Sequence, residues 1–440
     1  MVKKNLIVTN SIIRIVGVFE QNINKDKYKA RLGAAGFIGL VEKDTSSFHK
    51  NYWYPEFRDM FFLQKNETSA TIYKKKTNEK VHFLRKNPDT KLDEALCVTI
   101  DEIELFTFRN ELNLFAIEVS IAEKELYYYS DLTNLIRQFY QKINHNKKEY
   151  EWVNWIEEHC LCGVKISSKA HEKNVKVDDY SGSKFKLYTV LDTEEDLTQE
   201  IREELLYDIG SVAPIGSAAG NGFWTPSEAY YNELLKNKIS VFKNYDILPL
   251  LDSYTAIGNN LLEADVNSFK RKTWSELYFR IYLYNLFVKF NLYRYNSELM
   301  SDSEEIRDKL EEFVNTYNLS HLSYHFLPNK IFKQHRESLD IDGELAKFQE
   351  RVHKINLSIQ EKQQKRTNVL ISIFTVVTSL SSVAPILDIL QGVQNKLDCN
   401  NYVFYGSIIL ILIALGLPLL FYIFPTKMKK IIHKWSNLKD

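Results

Sequence analysis

The residues most able to do chemistry lie in a loop of unusual composition. Gly210-Ser211-Val212-Ala213-Pro214-Ile215-Gly216-Ser217-Ala218-Ala219-Gly220-Asn221-Gly222 concentrates glycine in a chain of 440 residues that holds only 15. Thr225, Pro226 and Glu228 then occupy cap, first-turn and capping-box positions of an expected helix. A glycine loop that feeds a helix N-terminus exposes backbone N–H groups and can cradle a phosphate. Gly216, Gly220, Asn221, Gly222 and Trp224 are therefore candidate ligand-binding residues, with Asp208 and Phe223 beside them. The loop lacks the Lys-Ser/Thr of a P-loop and follows no clear strand, so a flexible interdomain turn is the competing reading.

Two further groups have metal-ligand chemistry. His159-Cys160-Leu161-Cys162 is half of a zinc site, with His171 nearby, or a pair of ordinary thiols, since no second Cys/His pair stands at ligand spacing. His321, His325 and His335 with Asp340 and Asp342 form either a divalent-ion site or a solvated surface. No serine, cysteine or carboxylate constellation reaches catalytic specificity, so no enzyme is expected. Lys+Arg 57 against Asp+Glu 57 gives no basic excess for nucleic acid. Cys97, Cys160, Cys162 and Cys399 are too few for a disulfide framework and read as reduced.

A third pattern is a stripe. Asn368, Ser372, Thr375, Ser379 and Ser382 recur at spacings of four, three, four and three, one face of a helix. The stripe runs through an apolar stretch, 369–390, and a second apolar stretch covers 402–424. Each is about the length of a bilayer-spanning helix, so two transmembrane helices are expected, joined by a short outer loop. Lys362, Lys365 and Arg366 before the first, and Lys427, Lys429, Lys430 and Lys434 after the second, predict cytoplasmic N- and C-termini in a multi-pass protein of the bacterial inner membrane. In lipid such a stripe either packs helices tightly or lines water in a pore.

The elements that must position these groups follow from periodicity. Phe115, Ile117, Val119 and Ile121 alternate with small or polar residues, as do Phe185, Leu187 and Leu191, the period of strands. Leu132, Leu135, Ile136 and Phe139 have helical spacing. The aromatic run Tyr278 to Tyr295, interrupted by Arg280, Asn285, Lys289 and Arg294, reads as a helix buried in the domain. Leu345, Phe348, Val352, Ile355 and Ile359 keep heptad-like spacing. The expected organisation is a mixed α/β cytoplasmic domain over 1–192, a helical connector over 193–342, a stalk helix over 343–368, a first transmembrane helix over 369–392, an outer loop over 393–401, a second transmembrane helix over 402–424 and a basic cytoplasmic tail over 425–440.

This order of parts resembles the CorA-like metal-ion transporters. Asp252-Ser253-Tyr254-Thr255-Ala256-Ile257-Gly258, Gln363-Gln364-Lys365-Arg366-Thr367-Asn368 and Pro385 carry the likeness. It implies a homopentamer whose first membrane helix lines the pore with Asn368, Ser372, Thr375, Ser379 and Ser382. The family's Gly-Met-Asn selectivity motif is absent; Gly392-Val393-Gln394-Asn395 stands there, leaving Gly392, Gln394 and Asn395 as a remnant. CorA-like proteins without that motif include effectors of antiviral defence linked to type III CRISPR systems. The resemblance thus implies a ligand-gated membrane channel or effector switched by an adenine-nucleotide messenger. The alternative it implies is a Mg2+/Co2+ transporter with a degenerate selectivity loop.

Overall fold

The computed structural model describes residues 6–19, 25–40, 51–63, 69–86, 93–109, 111–166, 184–220, 224–298 and 304–397, with Gly406 and Ile409. Two compact units divide the chain, residues 1–348 and 349–440. The first is built on one large mixed sheet. Its strands are β1 (Val8–Phe19), β2 (Ile38–Gly39), β3 (Thr71–Lys86), β4 (Asp93–Thr107), β5 (Asn113–Ile121), β6 (Lys142–His145), β7 (Lys148–Glu151), β8 (Lys186–Thr193), β9 (Ile239–Phe242), β10 (Tyr245–Pro249) and β11 (Ser253–Gly258). They lie in the order β7-β6-β3-β4-β5-β1-β8-β11-β10-β9, with β2 paired to β3. The β8–β11 pair is parallel and the other pairs are antiparallel.

The helices that matter for the argument are α1 (Lys25–Ala34), α2 (Leu126–Arg137), α3 (Gln199–Gly210), α4 (Glu228–Leu235), α5 (Phe279–Glu298), α6 (Glu304–Tyr317), α7 (Phe326–Ser338) and α8 (Ile341–Leu397). Side chains alternate faces along a strand, and the two faces of β1 have different coverings. Ile13, Ile15 and Phe19 join Ile117, Val119, Leu187 and Leu191 in a core completed by Tyr28 and Leu32 of α1, Leu132 and Ile136 of α2, and Leu205, Leu206 and Ile209 of α3. The opposite face is covered by α5, which is buried on nearly every side.

That second face holds charge. Arg14, in register with Glu118 of β5 and Tyr188 of β8, is only 4% exposed. Its Nε and Nη2 donate to Glu118 Oε2 at 2.8 and 2.5 Å, its Nη1 donates to the Ser275 carbonyl, and the Phe279 ring lies 4.3 Å from the guanidinium. Arg280 donates to both Glu104 oxygens at 2.8 and 3.1 Å, and Lys74 pairs with the same carboxylate. Burial opposes the charge of Glu104, yet Arg280, Lys74 and Arg14 together hold its carboxyl well below the usual range. Glu102, in the same cluster, is pushed the other way, by burial first and then by Glu104.

The polar interruptions of the aromatic helix all find partners. Besides Arg280, Arg294 donates to Glu111 at 2.5 Å, Asn291 accepts from the Leu112 amide and Asn285 donates to the Phe332 carbonyl. Burial pushes Glu111 up to about 6 despite Arg294.

Two expectations are corrected. The stretch after Thr193 is not purely helical: β9, β10 and β11 join the main sheet there. β11 is buried at every position, so it shows no alternation for a sequence reading to detect. The second correction concerns the membrane. α8 is a single helix from Ile341 to Leu397 with Pro385 inside it. Leu345, Phe348 and Val352 are buried, whereas 361–371 is exposed throughout. Among the described residues no helix is long and apolar enough to cross a membrane.

Ser372, Thr375 and Thr378 donate their hydroxyls to backbone carbonyls four residues earlier in α8. The second expected span, 402–424, lies outside the described residues apart from Gly406 and Ile409. The two expected C-terminal membrane helices and the multi-pass inner-membrane placement are therefore not supported; the described residues form an α+β fold with a large mixed sheet.

Removing one partner of a buried ion pair leaves the other charge uncompensated and costs about 3–5 kcal/mol. Arg280→Met should lower unfolding stability by that order in urea titrations, and adding Glu104→Gln should recover part of the loss. Additive losses in the double variant would show that the two side chains are not coupled.

Candidate ligand-binding site

Two donors of the glycine loop are satisfied from within the fold. Gly216 and Ala218 give their amides to Asp208 Oδ2 and Oδ1 at 2.6 and 2.9 Å, and Asp208 is wholly buried. Burial outweighs these hydrogen bonds and pushes the carboxyl up to about 6. An internal carboxylate thus occupies the place where a phosphate was expected. Gly220 sits at φ +82°, Trp224 is exposed, and Asn221 and Gly222 lie outside the described residues. Helix α4 is capped by Ser227, whose hydroxyl accepts from the Tyr230 amide, rather than by Thr225.

The other sequence candidates are dispersed. Cys160 is buried and its thiol is pushed well up by burial, while His159 donates from Nδ1 to the Trp155 carbonyl and stacks on the Trp155 ring. His171 lies outside the described residues. His325 stacks on Tyr52, His321 is exposed and His335 is buried. Among the described residues no group of three His, Cys, Asp or Glu could hold a metal ion. On α8, Asn368 and Thr375 are exposed and Ser372 is partly exposed. Ser379, Ser382, Gln394 and Asn395 belong to the same helix, with side chains outside the description, and Gly392 is exposed.

A cavity of about 580 Å³ opens where α6, α7 and α8 meet. Asn318, Leu319 and Ser320 line it from the α6–α7 connection, Phe332, Lys333, Arg336 and Glu337 from α7, Asp340 from the turn, and Asp342 from the first turn of α8. Its walls are positioned from below by α5. The Tyr284 hydroxyl donates to the Tyr317 carbonyl and accepts from the Leu319 amide, pinning the connection. Asn329 closes the same connection by accepting from the Leu322 and Ser323 amides. The far end of α7 is tied to β10 where Ser338 Oγ donates to the Pro249 carbonyl.

Arg336 dominates the cavity. It is 8% exposed. Its Nε and Nη2 both donate to the same oxygen of Asp342, Oδ1, at 2.8 and 2.6 Å, and Nη2 also donates to Asn318 Oδ1 at 2.6 Å. Nη1 is buried with no hydrogen-bond partner. A buried guanidinium normally satisfies its fork of donors, and here Nε and Nη2 share one carboxylate oxygen while Nη1 has none. The turn that follows is tight: Asp340 lies at φ +50°, and its carboxylate comes so close to Gly343 that a Cβ there would overlap it.

His335 fixes the opposite side of α7. Its ring stacks on Tyr282 at 4.9 Å, and its Nδ1 accepts from Asn285 Nδ2 at 3.2 Å, which places the proton on Nε2. Burial pulls its pKa down to about 3. The sequence offers His321, His325, His335, Asp340 and Asp342 as a divalent-ion site or a solvated surface; the structure puts the two aspartates at the cavity and His335 in the core. Arg336 went unnoticed, because its partners are fixed only by the turn at Asp340.

No family model matches this chain, and no curated protein or solved structure matches it either. The CorA-like resemblance therefore rests on the residues that suggested it.

The sign of the pH dependence at His335 follows from its depressed value. The unfolded chain takes up a proton near pH 6.5 that the folded chain refuses, so the stabilisation is complete above 6.5 and is lost as pH falls toward 3. Between pH 7 and pH 5 the protein should lose about 2 kcal/mol more stability than its His335→Gln variant, read from urea midpoints. Equal losses would mean that His335 is already protonated, or solvated, in the native state.

Proposed function

We propose that this chain is a non-enzymatic binding protein that takes a small anion-bearing polar molecule into the cavity between α7 and α8. The observation that carries the reading is the nearly buried Arg336 lining the cavity, where its Nε and Nη2 share a single oxygen of Asp342. The surrounding chemistry supports a ligand with three characters. Arg336 and Lys333 suit an anionic group, and Glu337, Asp340 and Asp342 suit hydroxyl or amino donors. Phe332 and Leu319 offer apolar surface for a ring. An adenine mononucleotide meets all three requirements: its phosphate faces the cations, its ribose hydroxyls and exocyclic amine face the carboxylates, and its base lies on the apolar wall.

Calorimetric titration of the full chain with AMP, adenosine, inorganic phosphate and glutamate tests this. AMP should bind more tightly than adenosine or phosphate alone. Arg336→Gln should weaken AMP binding about ten- to a hundredfold, the loss expected for a charge-assisted hydrogen bond. A circular-dichroism melt of the variant confirms that it is folded. Absence of binding by every probe, or equal binding by folded Arg336→Gln, rules the reading out.

A further inference from the structure

The geometry points to a ligand that acts by displacing Asp342 from Arg336, so that occupancy of the cavity is read out at the first turn of α8. This rests on the ligand reading above and adds to it how binding is transmitted.

The Arg336–Asp342 pair is poorly matched on the side of the carboxylate. A guanidinium and a carboxylate pair best through two parallel N–H···O bonds. Here Nε and Nη2 converge on Oδ1 alone, and Nη1 has no acceptor. A phosphate or carboxylate entering the cavity could supply separate oxygens to Nε and Nη2, the parallel pairing that Asp342 does not make. The incoming anion is then the better partner for the same cation.

Asp342 is also the carboxylate that can leave at least cost. The Asp342 side chain is 74% exposed while the Arg336 side chain is 10% exposed. Breaking the pair without a replacement would strand a buried cation, whereas the released carboxylate meets solvent. It sits in the first turn of α8, where unpaired backbone N–H groups favour a negative charge. The two states are thus arginine on aspartate and arginine on ligand, with aspartate free at the helix start.

The joint between the helices is built to register that exchange. Asp340 holds a left-handed backbone that non-glycine residues seldom adopt. The Glu344 amide bonds to the Asp340 carbonyl, and Lys347 lies 3.8 Å from Asp340 and 3.6 Å from Glu344. The Arg336–Asp342 bridge spans this strained turn from α7 to α8. Its release removes a clamp across the turn.

The test compares Asp342→Asn with the wild-type full chain, using AMP as the probe. An internal competitor that is removed raises apparent affinity, so Asp342→Asn should bind AMP about tenfold more tightly, within the usual span of coupling energies. Hydrogen exchange of the amides at 341–345 should be faster in ligand-free Asp342→Asn than in ligand-free wild type, and should match wild type saturated with AMP. AMP binding to wild type with no gain in Asp342→Asn, or with unchanged exchange at 341–345, overturns displacement while leaving the ligand site standing. AMP binding to neither protein overturns both.

Discussion

The pairing of Glu104 with Arg280, beside Arg14 in the central strand, is the constraint on which the rest of the first unit depends. Three glutamates and four cations, Glu102, Glu104 and Glu118 with Arg14, Lys74, Arg271 and Arg280, meet where the sheet is covered by α5. Charges enter an interior only when their hydrogen bonds are made there. A one-residue slip of β1 against β5 would send Arg14 to the apolar face and part it from Glu118. A shift of α5 along its axis would part Arg280 from Glu104. The network therefore specifies register and helix position together, which a greasy interface of the same area would leave less defined.

Position then passes from α5 to the cavity. The same helix that is fixed through Arg280 carries Tyr284, which holds the α6–α7 connection, and Asn285, which holds α7 through the Phe332 carbonyl and His335. Arg336 follows His335 directly, so a ring locked in the core and a guanidinium at the cavity wall are set by one turn of helix. The site is polar because the connection and the joint are polar, and its walls are held by hydrogen bonds from the buried α5.

How much of this was legible in the sequence depended on whether a residue's partner was near or far. Alternation at 115–121 and helical spacing at 132–139 are local signals, and β5 and α2 stand there. Nothing local marks Arg14, since its carboxylate partners Glu102, Glu104 and Glu118 lie far along the chain. β11 was hidden by burial on both faces. The apolar stretch after Asn368 looked like a membrane span when length alone was counted. Asp340 and Asp342 were noticed as carboxylates, but their role beside Arg336 depends on a backbone angle at Asp340 that composition does not encode.

The topology of β1 has a consequence for how the chain is made. β1 comes first in order of synthesis, yet it lies in the middle of the sheet between β5 and β8. Its second neighbour begins at Lys186. At ordinary translation rates of about 5–20 residues per second, roughly 10 to 40 s pass before that strand emerges from the ribosome. For that interval a strand rich in apolar residues has an open edge. Folding of the first unit is thus governed by distant contacts and should be slow, and the nascent chain is a natural client for chaperones that shield exposed strands.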